Sequence, residues 1–68
     1  MLLGTVKWFN SDKGYGFIIP QTGNKDVFFH VTQLEKIGLK RLNDGQQIGY
    51  EIYEDRGRLA AGNIKVLS

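Results

Sequence analysis

Residues 13–20 carry the sequence KGYGFIIP, and this stretch decides the fold prediction. Tyr15 and Phe17 alternate with a glycine and with Ile18, which is the two-residue period of a β-strand. Pro20 ends the run, because proline has no amide hydrogen to donate to a neighbouring strand. The strand is therefore predicted to carry aromatic rings on one face and apolar packing on the other.

Short alternating segments separated by turn residues continue this pattern in both directions along the chain. No segment sustains the 3.6-residue period of a helix, and only one short helical turn is predicted, near Thr32–Leu34, within the irregular segment Thr32–Gly45. The predicted strands are Leu3–Asn10, Tyr15–Ile19, Asp26–Val31, Gln46–Glu54 and Leu59–Leu67.

The turns between the first three strands set their register. A hairpin closed at residues 21–24 places Phe17 opposite Phe28, and a hairpin closed at residues 11–14 places Trp8 opposite Phe17. Side chains alternate between the two faces of a sheet, so the rings collect on one side. That face is predicted to carry Trp8, Tyr15, Phe17, Phe28 and His30.

The opposite face is predicted to form the core of an all-β protein. Strict alternation also places Lys7 there, where an unpaired ammonium is costly, so we predict a bulge that turns Lys7 outward. Five short strands share one small core without bare edges only in a closed or nearly closed antiparallel barrel. The predicted core residues are Ile18, Val27, Phe29, Val31, Ile48, Tyr50, Ile52, Ile64 and Val66.

Length and composition limit the classes of protein. A chain of 68 residues is expected to be a single domain, residues 1–68. It has no cysteine, which excludes disulfides and thiolate metal sites and indicates a cytoplasmic location. No stretch is apolar for long enough to be a signal peptide or a membrane span. The net charge of +2 is too small to indicate nucleic-acid binding by itself.

Few side chains are available for catalysis or metal binding. His30 is the only histidine, whereas zinc needs three or four ligands, so no metal and no other cofactor is predicted. No nucleophile accompanies His30, and GYGFII lacks the third glycine of a dinucleotide-binding motif. We therefore predict a binding protein rather than an enzyme.

The predicted ring-bearing face needs an explanation, because a solvated sheet face is normally polar. Single-stranded bases stack on such rings, each stack being worth roughly 1–3 kcal/mol. Alternatively, a protein partner covers the rings and the chain is a protein-interaction module. The sequence favours stacking, because it has no spare helix for a covering layer and an exposed apolar patch usually marks a binding site. Single-stranded RNA and DNA are the predicted partners.

Several residues beside the rings fit this interpretation. Lys7 and Lys13 flank the rings in the sequence, and Asp26 either accepts a hydrogen bond from a base amine or serves the turn. Gly14 and Gly16 leave the surface around the tyrosine open for a base, or serve a turn and a bulge. The loop residues considered for phosphate contacts are Lys40, Arg41, Arg56 and Arg58.

Four segments in matching order resemble the bacterial cold shock proteins. GTVKWFNSDKGYGFI (residues 4–18) contains a string similar to the family's first RNA-binding motif, and DVFFH (26–30) contains its second. DGQ (44–46) and AAGNI (60–64) are similar to later segments of the family. The resemblance extends from about Gly4 to Leu67.

This resemblance implies a barrel of the oligonucleotide/oligosaccharide-binding (OB) type. It implies binding of single-stranded RNA and DNA with little sequence preference, which keeps RNA unstructured during cold adaptation and affects transcription or translation. A monomer is expected, and a strand-swapped dimer stays open. The implied binding residues are Lys7, Trp8, Lys13, Tyr15, Phe17, Phe28 and His30, extended to Phe9, Asp26 and Arg56.

The chain departs from the family pattern at several positions. Val31 and Leu39 stand where the family commonly has aromatic residues, which implies weaker binding or a shorter site at that end. Phe29 replaces a smaller β-branched residue, which suggests a repacked core. Arg58 and Leu59 stand where a proline-containing turn is usual.

Overall fold

The computed structural model describes residues 1–68 as five β-strands and one short helix. The elements are β1 (Leu2–Asn10), β2 (Tyr15–Pro20), β3 (Val27–His30), α1 (Val31–Glu35), β4 (Gln47–Asp55) and β5 (Arg58–Val66). The strands close into a barrel in the order β1-β2-β3-β5-β4, which confirms the predicted fold class. The helix is not of the length and apolarity that crossing a membrane requires.

One contact of the barrel is not antiparallel. β3 and β5 run parallel and pair only at Phe28 and Ala60, whereas the other four contacts are antiparallel. An odd number of strands cannot alternate in direction all the way around a closed ring, so one parallel contact has to occur. This single parallel pair therefore belongs to the closure of the predicted antiparallel barrel.

The bulge predicted for the first strand is present at Lys7. Val6 pairs with Ile18 and Trp8 pairs with Phe17, so Lys7 is the extra residue between two adjacent pairs. The bulge turns the lysine side chain to the surface, where its Nζ lies 2.8 Å from a carboxylate oxygen of Asp26. Since both side chains stay largely solvated, this pair contributes at most about 1 kcal/mol.

The predicted register of the second hairpin is also confirmed. Tyr15 pairs with His30, and Phe17 with Phe28. Val31 differs from the prediction, because it begins α1 instead of extending β3, and it is half-buried. The His30 side chain accepts a hydrogen bond from the Thr32 backbone N–H, so the chain turns into the helix directly after the histidine.

The core combines one face of the strands with two leucines from the irregular segment. Leu34 in α1 and Leu42 beyond it are both buried. Burial raises the pKa of the Tyr50 phenol, so this side chain is neutral over the physiological pH range. The buried cluster consists of Val6, Ile18, Phe29, Leu34, Leu42, Ile48, Tyr50, Ala61 and Ile64, with Val27 and Val66 packed against it.

Ile52 does not belong to this core, contrary to the prediction. It is 37% exposed. The ladder between β1 and β4 ends at the pair Leu2–Tyr50, so β4 beyond that pair is bonded only to β5. The end of the β4–β5 hairpin thus projects past the closed part of the barrel, where alternation no longer implies burial.

Gly14 and Gly16 are required by the turn and by the packing of the core, and not to keep the surface open for bases. A Cβ on Gly16 would lie 2.8 Å from Phe29 Cζ and would collide with the Trp8 carbonyl oxygen. Gly16 therefore allows the Phe29 ring to pack under β2. Gly14 has φ +75°, a conformation that glycine adopts readily and other residues rarely. The prediction that these glycines clear the surface is wrong for Gly16, and Gly14 serves the turn.

We expect Gly16→Ala to lower the free energy of unfolding by about 1–3 kcal/mol, the usual effect of overpacking a core. Urea denaturation followed by circular dichroism measures this change. Gly62→Ala is the comparison, because its Cβ would come 3.0 Å from the exposed Tyr53 ring, which can shift, and would not meet a backbone atom, so a smaller loss is expected. Equal losses in the two variants would contradict the packing role of Gly16.

Candidate nucleic-acid interface

Five rings form a continuous surface on β1, β2 and β3, which we call the ring face. Trp8 and Phe17 have ring centroids 5.2 Å apart, Tyr15 and Phe28 5.7 Å, and Phe28 and His30 6.4 Å. The spacing follows from the register, because paired residues of adjacent antiparallel strands project together from the same side of the sheet. The structure thus brings together all five residues of the predicted face.

The rings differ in how much solvent they contact. Trp8, Tyr15, Phe17 and His30 are half-buried, and their outer surfaces remain accessible. Phe28 is only 8% exposed. The prediction treated its ring as unsheltered, but the Arg58 guanidinium carbon lies 3.9 Å from the ring centroid and covers it. This cation–π contact joins β5 to the ring face.

The His30 ring is held by the start of α1. The Thr32 backbone N–H donates to His30 Nδ1 at 3.2 Å, and the Thr32 hydroxyl oxygen lies 3.2 Å from the same nitrogen. An accepting Nδ1 places the proton of the neutral imidazole on Nε2. The ring is thus oriented by the backbone and keeps one N–H donor for a ligand.

Phe9 is not part of the ring face. It stacks on Phe29 with centroids 5.7 Å apart and an interplanar angle of 14°, and it packs against the core. The bulge at Lys7 explains this placement, because it shifts the alternation of β1 so that Trp8 faces outward and Phe9 inward. The structure therefore does not bring Phe9 together with the other predicted binding residues.

Two lysines lie at the edge of the ring face. Lys7 precedes Trp8 and is paired with Asp26, so the Asp26 carboxylate is engaged by a lysine in the free protein. Lys13 is exposed in the turn that leads into β2. This turn is held by Asn10, whose side-chain oxygen accepts hydrogen bonds from the backbone N–H groups of Asp12 and Lys13.

The β4–β5 hairpin forms a pocket against one end of the ring face, which we call the hairpin pocket. Its turn consists of Arg56 and Gly57, with φ values of 54° and 84°, the backbone region required of both central residues in a type I′ turn. The pocket has a volume of about 590 Å³. Its lining residues are Phe28, His30, Thr32, Tyr53, Asp55, Arg56 and Arg58.

The amino-acid sequence predicts only part of this pocket. It suggests phosphate contacts for Arg56 and Arg58, whereas it indicates no binding role for Asp55 or Tyr53. A signal was present for Asp55, because the residues before and after a two-residue turn pair with each other, and Asp55 pairs with Arg58. No short-range pattern predicts the position of Tyr53, because its place in the pocket with Phe28 depends on closure of the barrel through β5.

The irregular segment after α1 contributes less to this surface. Leu39 packs against the core, and Arg41 lies with it in a separate groove beside Val66. Val31 lies beside Gly14, since a Cβ on that glycine would come 3.2 Å from a Val31 methyl group. None of these residues adds an aromatic ring to the ring face.

No group of three His, Cys, Asp or Glu side chains is placed to hold a metal ion. The arrangement instead offers flat rings, peripheral cations and one polar pocket. A closed five-stranded barrel with this strand order is of the OB type, and the ring face on β1–β3 is its candidate binding surface.

The 'Cold-shock' DNA-binding domain family model matches residues 2–67, and the chain belongs to this family, whose members generally bind nucleic acid. It is 51% identical over 67 residues to a probable cold shock protein of Sinorhizobium fredii, covering 96% of this chain and 97% of the relative. A cold shock-like protein of Aquifex aeolicus is 47% identical, and the match covers 94% of this chain and 91% of that relative. The cold shock-like protein CspG of Escherichia coli is 42% identical, and the match covers 97% of this chain and 94% of that relative.

Proposed function

We propose that this protein binds single-stranded RNA and DNA by stacking bases on the ring face, with little sequence preference, and acts in the cytoplasm as an RNA chaperone during cold adaptation. The observation that carries the proposal is the series of five rings from Trp8 to His30, with centroid spacings between 5.2 and 6.4 Å and the Arg58 guanidinium over Phe28. Every base has a π-face, so such a surface accepts any sequence.

Stacking on the protein replaces the stacking that a base loses when it leaves a hairpin. Each base–ring contact is worth roughly 1–3 kcal/mol, so a few contacts compete with RNA secondary structure. Because the protein binds the open strand and not the paired one, it shifts the folding equilibrium of a hairpin toward the open form. This mechanism needs neither ATP nor a covalent intermediate, and it acts on transcription or translation wherever an RNA hairpin controls them.

The cations add a smaller term to binding. Lys13 and Arg56 are exposed and have no ion-pair partner, since the single ion pair of the chain joins Lys7 to Asp26. A phosphate near Lys7 has to compete with the Asp26 carboxylate. We propose that these cations contact the backbone of the strand while the rings hold its bases.

Trp8 is the only tryptophan and lies on the ring face, so its fluorescence reports directly on stacking. Titration with a heptamer of thymidine is expected to quench it strongly, and a stable DNA duplex of the same length is expected to quench it far less. Repeating the titration at several salt concentrations gives the number of phosphates contacted, because the logarithm of the binding constant falls with the logarithm of the salt concentration at a slope of about −0.7 for each phosphate. We expect a slope that corresponds to only a few phosphates.

Two results would overturn this proposal. An unchanged Trp8 fluorescence with every oligonucleotide would favour a protein partner on the ring face. A slope that requires a phosphate contact at nearly every nucleotide would show that charge, and not stacking, provides most of the affinity.

A further inference from the structure

We propose that the hairpin pocket holds one nucleobase of the bound strand and prefers guanine. This inference rests on the proposed function, because the base has to arrive as part of a single strand that lies on the ring face. It goes beyond that function by assigning a sequence preference to one position of the site.

The end of the ring face beside the hairpin differs from the rest. A base placed over Trp8 or Phe17 meets the ring itself, whereas a base placed over Phe28 meets the Arg58 guanidinium, which lies 3.9 Å above that ring. The Arg58 guanidinium supports a stacked base, and the exposed guanidinium of Arg56, which lines the same pocket, carries a fork of N–H donors for the edge of that base. Recognition at this end therefore includes directional hydrogen bonds, which are absent over a bare ring.

The Asp55 carboxylate gives the pocket an acceptor beside these donors. It is half-buried, and it lies across the turn from Arg58 in the β4–β5 ladder. It makes no side-chain hydrogen bond, and the single ion pair of the chain is between Lys7 and Asp26. A carboxylate with no partner inside the protein, in a pocket of about 590 Å³, is available to a ligand of nucleobase size.

Guanine matches this pair of groups better than the other bases do. It presents two adjacent N–H donors, N1–H and the N2 amino group, which a carboxylate accepts together. Its O6 and N7 atoms are the usual acceptors for an arginine. Adenine would point the N1 lone pair at the carboxylate, cytosine would do the same with N3, and thymine or uracil would flank its single N–H with two carbonyl oxygens. Each of these arrangements places an acceptor against an acceptor.

Hydrogen bonds within the protein hold two of the side chains that line the pocket. The Tyr53 hydroxyl accepts a hydrogen bond from Gln33 Nε2 at 3.3 Å, and the His30 ring is fixed by Thr32. These contacts anchor the walls of the pocket before a base arrives, which limits the ordering cost of binding.

The test uses heptamers of thymidine in which a single dG replaces each position in turn, with Trp8 fluorescence as the readout. We expect one position at which dG tightens binding about tenfold over the plain heptamer, in the range of one good base contact. Deoxyinosine at that position lacks the N2 amino group and is expected to lose most of this gain. In Asp55→Asn, the dG and deoxyinosine heptamers are expected to bind with equal affinity.

Glu54→Gln is the matched control, because Glu54 is adjacent and exposed but does not line the hairpin pocket. It removes the same charge and is expected to keep the full difference between dG and deoxyinosine. If the plain heptamer quenches Trp8 but no dG position differs from it, or if inosine binds the unmodified protein as well as guanine does, the pocket assignment is wrong and the proposed function stands. If no heptamer quenches Trp8, the proposed function itself fails.

Discussion

Phe17→Ala is expected to weaken binding of a thymidine heptamer by about 5- to 150-fold, because one base–ring stack is worth roughly 1–3 kcal/mol. Phe17 lies in the middle of the ring face, with its centroid 5.2 Å from Trp8 and 6.0 Å from Phe28. Its removal therefore interrupts the stacking surface and does not merely shorten it. The free energy of unfolding should fall by only about 1 kcal/mol, which is the scale of the lost aromatic pairs.

Fluorescence titration and urea denaturation of the same sample separate these two effects. Ile19→Ala is a suitable control, since Ile19 lies two residues farther along β2 on the same outer side, is 42% exposed and carries no ring. Its effect on binding should be less than about twofold, well below one stack. A Phe17→Ala protein that unfolds easily but binds as tightly as before would show that the two faces of β2 were assigned the wrong way round.

Phe29→Ala should have the opposite profile, with a loss of about 3–5 kcal/mol in the free energy of unfolding. Phe29 is completely buried, its ring stacks on Phe9 and it fills the space that Gly16 leaves open. A domain of 68 residues has a total stability of about 3–10 kcal/mol. The cavity left by the phenyl ring is therefore expected to leave much of the protein unfolded at 25 °C.

Circular dichroism and urea denaturation measure this loss directly. Phe29→Leu is a milder variant that keeps most of the apolar volume, so it should stay folded and bind the heptamer with an affinity close to that of the unchanged protein. If Phe29→Ala keeps nearly full stability, or if folded Phe29→Leu has lost its affinity, Phe29 cannot be a core residue without contact to the ligand.

The neighbouring residues Phe28 and Phe29 show how far local pattern extends. Alternation correctly assigned them to opposite faces of β3, and the register with Phe17 was correct. Strict alternation would have buried Lys7, which is energetically unfavourable, and this conflict predicted a bulge in the first strand. The bulge is present at Lys7. These results depend on sterics and solvation within a hairpin, and both act between residues that are close in sequence.

Other assignments needed contacts between distant residues. Ile52 fits the apolar alternation of β4, yet it lies beyond the last pair with β1 and is exposed. Gly16, between two aromatic residues, suggests room for a ligand on the outer face, whereas it makes room for the Phe29 ring on the inner one. The hairpin pocket requires the turn at Arg56 to approach Phe28 and His30, and no spacing within either segment contains that information.

By itself, the order of residues determined the strand periods, the pairing of β1 with β2 and of β2 with β3, and the ring face that follows from them. Short turns allow few registers, and a one-residue slip would move every ring to the wrong side. Only the closed tertiary structure decided that Arg58 covers Phe28 and that Asp55 lies in a pocket. Those contacts form when β5 comes alongside β3, about thirty residues away in sequence, and their geometry depends on how the whole ring of strands closes.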